Sequence, residues 1–87
     1  MLNYLFKPNR TSEKRPPTNG NDYTLEELQG MVEGPIELVA VPNKPAMVLI
    51  VNEEGLLKEL PMNPMATGIA GRLIVGNALY CPREHLK

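Results

Sequence analysis

The sequence predicts an α+β fold: a small antiparallel sheet of about four strands, with one capped helix packed on one face and a short second helix. Three stretches predict it. Residues 35–55 (PIELVAVPNKPAMVLIVNEEG) read as two apolar strands joined by a proline-bracketed turn and closed by an acidic turn. Residues 23–34 (YTLEELQGMVEG) carry the start and stop signals of a helix, and residues 63–71 carry those of a shorter one.

Taken from the N-terminus, Leu2, Tyr4 and Phe6 alternate with Asn3, Leu5 and Lys7, the period-2 pattern of a half-buried strand. Residues 1–7 are expected to form an edge strand that ends at Pro8. Residues 8–22 (PNRTSEKRPPTNGND) hold no apolar side chain apart from proline, so they bury too little to offset their ordering entropy and are expected to form a flexible polar loop. Arg10, Lys14 and Arg15 would make that loop a basic arm for an anionic partner or simply a solvated linker; its composition favours the linker.

Residues 23–81 are the expected core domain. Thr24 with Glu27 three residues on makes a capping box, Tyr23 with Leu28 a hydrophobic staple, and Leu25, Leu28 and Val32 share a face. Gly34 followed by Pro35 stops the helix, glycine accepting a left-handed conformation and proline being unable to continue. In the next strand Ile36, Leu38 and Ala40 share one face while Glu37, Val39 and Val41 share the other. The PNKP turn at residues 42–45 leads into residues 47–51, apolar on both faces as in a strand with neighbours on either side. Residues 52–55 (NEEG) have turn composition, and residues 56–60 read equally as a helical turn or a short strand. Asn63 and Pro64 then look like an N-cap and a first helical residue, in a helix that stops near Gly71. Residues 73–81 return to strand character with a bulge or tight turn at Gly76 and Asn77, and residues 82–87 read as a polar tail.

With 87 residues there is room for one domain, which buries roughly 60 to 65% of its unfolded surface. One helix plus a short second one would cover a single side of the sheet, leaving residues such as Val39 or Val48 to seek a partner. A homo-oligomer is therefore expected. Nine basic against ten acidic residues remove the electrostatic drive for DNA or RNA binding. The single cysteine, Cys81, excludes an internal disulfide and fits a reducing compartment. No apolar run approaches the ~18 to 20 residues of a membrane span. The expectation is a cytoplasmic protein.

The motifs TLEELQ at 24–29, GPIE at 34–37, VNEEG at 51–55, LPMN at 60–63 and IVGN at 74–77 give residues 23–81 a resemblance to a family of small uncharacterised proteins. That family, a domain of unknown function, is encoded in phages, plasmids and conjugative elements. The resemblance implies a mobile-element setting, with the host cytoplasm as the site of action for a phage protein, and it supplies no catalytic residue to carry over.

The residue inventory is thin in chemistry. Ser12, Asp22 and His85 are the sole serine, aspartate and histidine, two of them in the expected loop and one in the tail, so a preorganised triad is not expected. Cys81 with His85 could pair, but a cysteine ending an apolar strand is more often a packing residue. One histidine and one cysteine make no zinc site, and no cofactor is expected. The remaining candidate surface joins Asn52 and Glu53 of the NEEG turn to Asn63, Thr67 and Arg72, where Arg72 could meet a phosphate and the asparagines a base or ribose. The expected function is a non-catalytic binding protein, in its sharpest form an anti-defence protein sequestering a nucleotide-derived immune signal. The alternatives are a module binding a host or phage protein, and a small nucleotide-processing enzyme.

Overall fold

The computed structural model describes residues 3–86. Five antiparallel strands, β1 (Tyr4–Phe6), β2 (Ser12–Lys14), β3 (Ile36–Ala40), β4 (Met47–Asn52) and β5 (Ala78–Pro82), form one sheet in the order β2-β1-β5-β4-β3. Helix α1 (Leu25–Val32) precedes β3, helix α2 (Pro64–Ala70) lies between β4 and β5, and a 3-10 turn (Arg83–His85) follows β5. The sheet has one strand more than expected, and that strand is β2.

The N-terminal strand is interior rather than an edge, because β2 pairs with one side of β1 and β5 with the other. Leu2, assigned to this strand by its alternation, lies outside the described residues. The expected loop at 8–22 folds back as the second arm of a hairpin: Lys7 N–H donates to Thr11 O at 2.9 Å and Arg10 N–H to Lys7 O at 3.0 Å. Apolar alternation could not reveal this arm, since it is held by backbone pairing and by charge. The Glu13 carboxylate sits 2.8 Å from Arg15 Nη1 and 3.3 Å from Lys7 Nζ, and these two cations hold its carboxyl below the usual range. Farther on, Pro17 is buried and Thr18 is clamped to α1.

Helix α1 begins as its signals predict. Thr24 Oγ1 accepts from Glu27 N–H at 3.1 Å, and Glu27 Oε1 accepts from Thr24 N–H at 2.9 Å. Glu27 Oε2 also accepts from the Thr18 hydroxyl at 2.5 Å and its N–H at 3.0 Å. These bonds, the Thr18 hydroxyl foremost, pull the Glu27 carboxyl down to about 2 from 4.5. A depressed folded-state value means that this stabilisation is present above pH ~4.5 and is lost as pH falls toward 2. Because the site is largely solvated, its expected size is ~1 kcal/mol. Urea unfolding of Glu27→Gln should therefore give a flatter stability curve than the wild type between pH 4.5 and 2. Parallel curves would contradict the clamp.

The helix stops by a different device from the one expected. The left-handed residue is Glu33, at φ 63°, and not Gly34. Gly34 is required by space: a Cβ there would sit 2.6 Å from Asn52 Nδ2, an amide already committed to the helix end. Along the predicted face Leu28 and Val32 are buried with Met31, while Leu25 stays exposed at the margin.

Both faces of the sheet are covered, which corrects the expectation of a single covered side. Leu5, Val48, Ile50, Leu79 and Cys81 pack under α1 with Tyr23, Leu28 and Val32. On the opposite face Val39, Val41, Leu49, Val51 and Tyr80 pack with Ala66 and Ala70 of α2 and with Ile74. Val39 and Val48, expected to face a partner, are 4% and 0% exposed. A seven-residue helix suffices here because it contributes Ala66 and Ala70 to this core and the segment at residues 72–75 adds Ile74 beside them.

The β3–β4 hairpin holds the predicted faces in the register Leu38↔Ile50. Residues 55–60 are neither helix nor strand but successive turns, with Lys58 N–H donating to Glu54 O and Leu60 N–H to Gly55 O. Strand β5 starts at Ala78, after a left-handed Gly76 at φ 76°, so the apolar run at 73–75 lies outside it. The expected polar tail is also structured: Arg83 N–H donates to Ala46 O, Tyr23 N–H donates to His85 O, and His85 is buried.

Candidate functional site

The five candidate residues do not converge on one site. Asn52, Glu53 and Arg72 line an open pocket of ≈ 210 Å³, together with Glu37, Leu56 and Leu73. Asn63 and Thr67 are absent from it. Asn63 is fully buried: its Nδ2 donates to Phe6 O at 3.0 Å and Gly76 O at 2.8 Å, while its Oδ1 accepts from Ala66 N–H at 3.1 Å as the cap of α2. Thr67 Oγ1 donates to Ile74 O and accepts from Ile74 N–H, joining α2 to the strand-like segment after it. Both side chains are therefore consumed by the fold.

Asn52 is consumed too. Its Nδ2 donates to Val32 O at 3.0 Å and Glu33 O at 3.3 Å, and its Oδ1 accepts from Glu54 N–H at 2.7 Å. Asn77 Nδ2 similarly donates to Met31 O at 3.0 Å. Carbonyls at a helix C-terminus have no partner within the helix, and two side-chain amides, from the end of β4 and from just before β5, supply it here. The asparagines of the VNEEG, LPMN and IVGN motifs are thus staples between elements.

What remains exposed in the pocket is Arg72 with two carboxylates. Arg72 Nη2 lies 3.6 Å from Glu37 Oε2, and Glu53 is exposed on the same rim. Leu56 and Leu73 line the pocket with them, 72% and 59% exposed, and Leu57, next in the turn, is 85% exposed. A small cleft with paired charge and large uncovered leucines is suited to contact with another surface rather than to enclosing a polyanion.

The family follows from the whole chain rather than from this pocket: a domain of unknown function, DUF3846, matches residues 4–85. The chain belongs to the DUF3846 family. The match extends beyond the 23–81 stretch that carries the motifs, taking in β1, β2 and the C-terminal turn, so the DUF3846 unit is the entire five-stranded sheet. No curated protein and no solved structure matches the chain.

Sequence reasoning missed a buried polar cluster in this DUF3846 domain. Asn3 Nδ2 donates to Tyr23 Oη at 2.8 Å and lies 2.9 Å from His85 Nδ1, while Tyr23 Oη donates to Arg15 O at 2.6 Å. Burial pushes the Tyr23 phenol up to about 12. The cluster ties β1, the segment before α1 and the C-terminal turn together across most of the chain's length. His85 is thus engaged by Asn3, while Asp22 accepts from Asn19 and Ser12 makes no side-chain hydrogen bond among the described residues. Cys81 is fully buried, and desolvation pushes its thiol up to about 11, which opposes thiolate formation. Among the described residues no three His, Cys, Asp or Glu side chains cluster as metal ligands, and no helix is long and apolar enough to cross a membrane.

Proposed function

We propose that this chain is a non-catalytic binding module whose contact surface is the turn at residues 53–59 together with Arg72 and Leu73, and that its partner is a protein. The observation that carries the reading is the exposure of Leu56 and Leu73 in the lining of an open, mixed-charge pocket, with Leu57 exposed in the same turn. Apolar side chains rimmed by ion pairs such as Arg72–Glu37 and Lys58–Glu54, the latter at 3.4 Å, match the anatomy of a protein interface. The resemblance to proteins of phages, plasmids and conjugative elements adds the setting we propose, in which the partner is a host or element protein met in the host cytoplasm. Sequestration of a nucleotide signal has weaker support, since Arg72 shares the pocket with Glu37 and Glu53 and carboxylates repel phosphate.

The double variant Leu56→Asp/Leu57→Asp tests the reading. Both positions are exposed, so its stability should stay within about 0.5 kcal/mol of the wild type. A protein recovered from host lysate by cross-linking to the wild type should be lost with the variant and should rebind when both components are purified. Equal recovery by both proteins would overturn the surface. Calorimetric binding of a nucleotide that depends on Arg72 would replace a protein partner with a small molecule.

A further inference from the structure

The two edges of the sheet differ. Strand β2 is three residues long and carries Glu13 and Lys14, a short charged edge of the kind that discourages further pairing. Strand β3 is five residues, IELVA, with one charge and no proline. Its free backbone groups can be located. Glu53 N–H donates to Pro35 O, and with the register Ile36↔Asn52 this makes Glu37 and Val39 the residues bonded to β4. The N–H and C=O of Ile36, Leu38 and Ala40 therefore point away from the sheet, and they make no hydrogen bond among the described residues. Beside them runs an apolar groove of ≈ 280 Å³ lined by Tyr23, Leu25, Leu28, Ile36, Leu38 and Leu86.

We propose that β3 pairs with β3 of a second copy of this chain, antiparallel about a two-fold axis at Leu38, to make one continuous ten-stranded sheet. The strand is its own complement in that register. Leu38 meets Leu38 of the second copy, each Ile36 meets the small Ala40, and Glu37 stands opposite Val39, so no carboxylate faces another directly. The outward groups of Ile36, Leu38 and Ala40 are those such a pairing bonds, two bonds per opposed pair. Leu25 and Leu38, 58% and 48% exposed, become covered as the two grooves meet on the α1 face. The alternative of β3 on β2 would put a five-residue strand against a charged three-residue one and propagate without closing. This interface does not depend on the protein partner proposed above.

The register makes the test specific. Sedimentation of the full chain between about 1 and about 100 micromolar should give twice the chain mass at the upper end. Leu38→Pro removes only an N–H that points outward and should give a folded protein of single chain mass, as should Leu38→Lys. Leu38→Cys under mild oxidation should cross-link to a dimer, since directly opposed hydrogen-bonded residues lie ~5.5 Å apart, within disulfide reach. Ala40→Cys alone should not cross-link, whereas a mixture of Ile36→Cys and Ala40→Cys chains should. Buried Cys81 does not compete. A monomer throughout that range, a dimer indifferent to Leu38→Lys, or cross-linking of Ala40→Cys to itself would each overturn the proposal. If either Leu38 substitution fails to fold, the cysteine pattern decides alone.

Discussion

Replacing Asn63 with alanine is expected to remove ~2 to 4 kcal/mol of stability, from a domain whose total is ~4 to 13 kcal/mol. The side chain makes three hydrogen bonds from a fully buried position, to Phe6 O, Gly76 O and Ala66 N–H. Deleting it strips the cap from α2, worth ~1 kcal/mol, and leaves two carbonyls without their donor, at ~1 kcal/mol or more each if water cannot reach them. In a domain of this size that corresponds to a fall in Tm of at least ~8 °C. Asn63→Ser separates the contributions, because a serine hydroxyl still accepts from Ala66 N–H but cannot span to both carbonyls. It should recover about the capping share and no more. A loss under ~1 kcal/mol for Asn63→Ala in a thermal or urea transition would show that α2 is not anchored to β1 as described.

Leu49→Ala and Ile50→Ala should each cost ~2 to 5 kcal/mol, although the two residues are adjacent in sequence and share no neighbours in the core. Leu49 belongs to the α2 face and Ile50 to the α1 face, and neither is exposed. Each truncation loses about three methylene-sized groups of burial and leaves a cavity that the opposite face cannot relax into. Equal severity is the informative outcome. Were α2 and residues 72–75 too slight to seal their face, Leu49→Ala would cost below ~1 kcal/mol in chemical denaturation while Ile50→Ala kept its full effect. The same two cores explain why the expectation of an uncovered face failed: Ala66 and Ala70 of α2, with Ile74 after it, complete a second buried cluster on the face opposite α1.

The polar residues divide along a related line. Asn52, Asn63 and Thr67 are residue types suited both to capping and to ligand contact, and identity alone does not separate the uses. Their partners are carbonyls and amides far away in the chain: Asn63 reaches Phe6, and Asn52 reaches Val32. Arg72 and Glu53 line one pocket, and the carboxylate of Glu37 that meets Arg72 comes from β3, far from both in the chain. The Asn3, Tyr23 and His85 cluster left no local signal at all, because its members are separated by most of the chain.

Short-range signals were sufficient wherever the stabilising partner lies within a few residues. The capping box at Thr24 and Glu27, the Asn63–Pro64 start and Gly71 stop of α2, the alternating faces of β3 and the apolar run of β4 all belong to this class. Long-range packing settled the rest: β2 as a strand despite its polar composition, β1 in the interior, the second core beneath α2, and the burial of His85. The reason is that a backbone ladder or a buried amide is stabilised by whatever lies across from it, and that neighbour is chosen by the path of the whole chain.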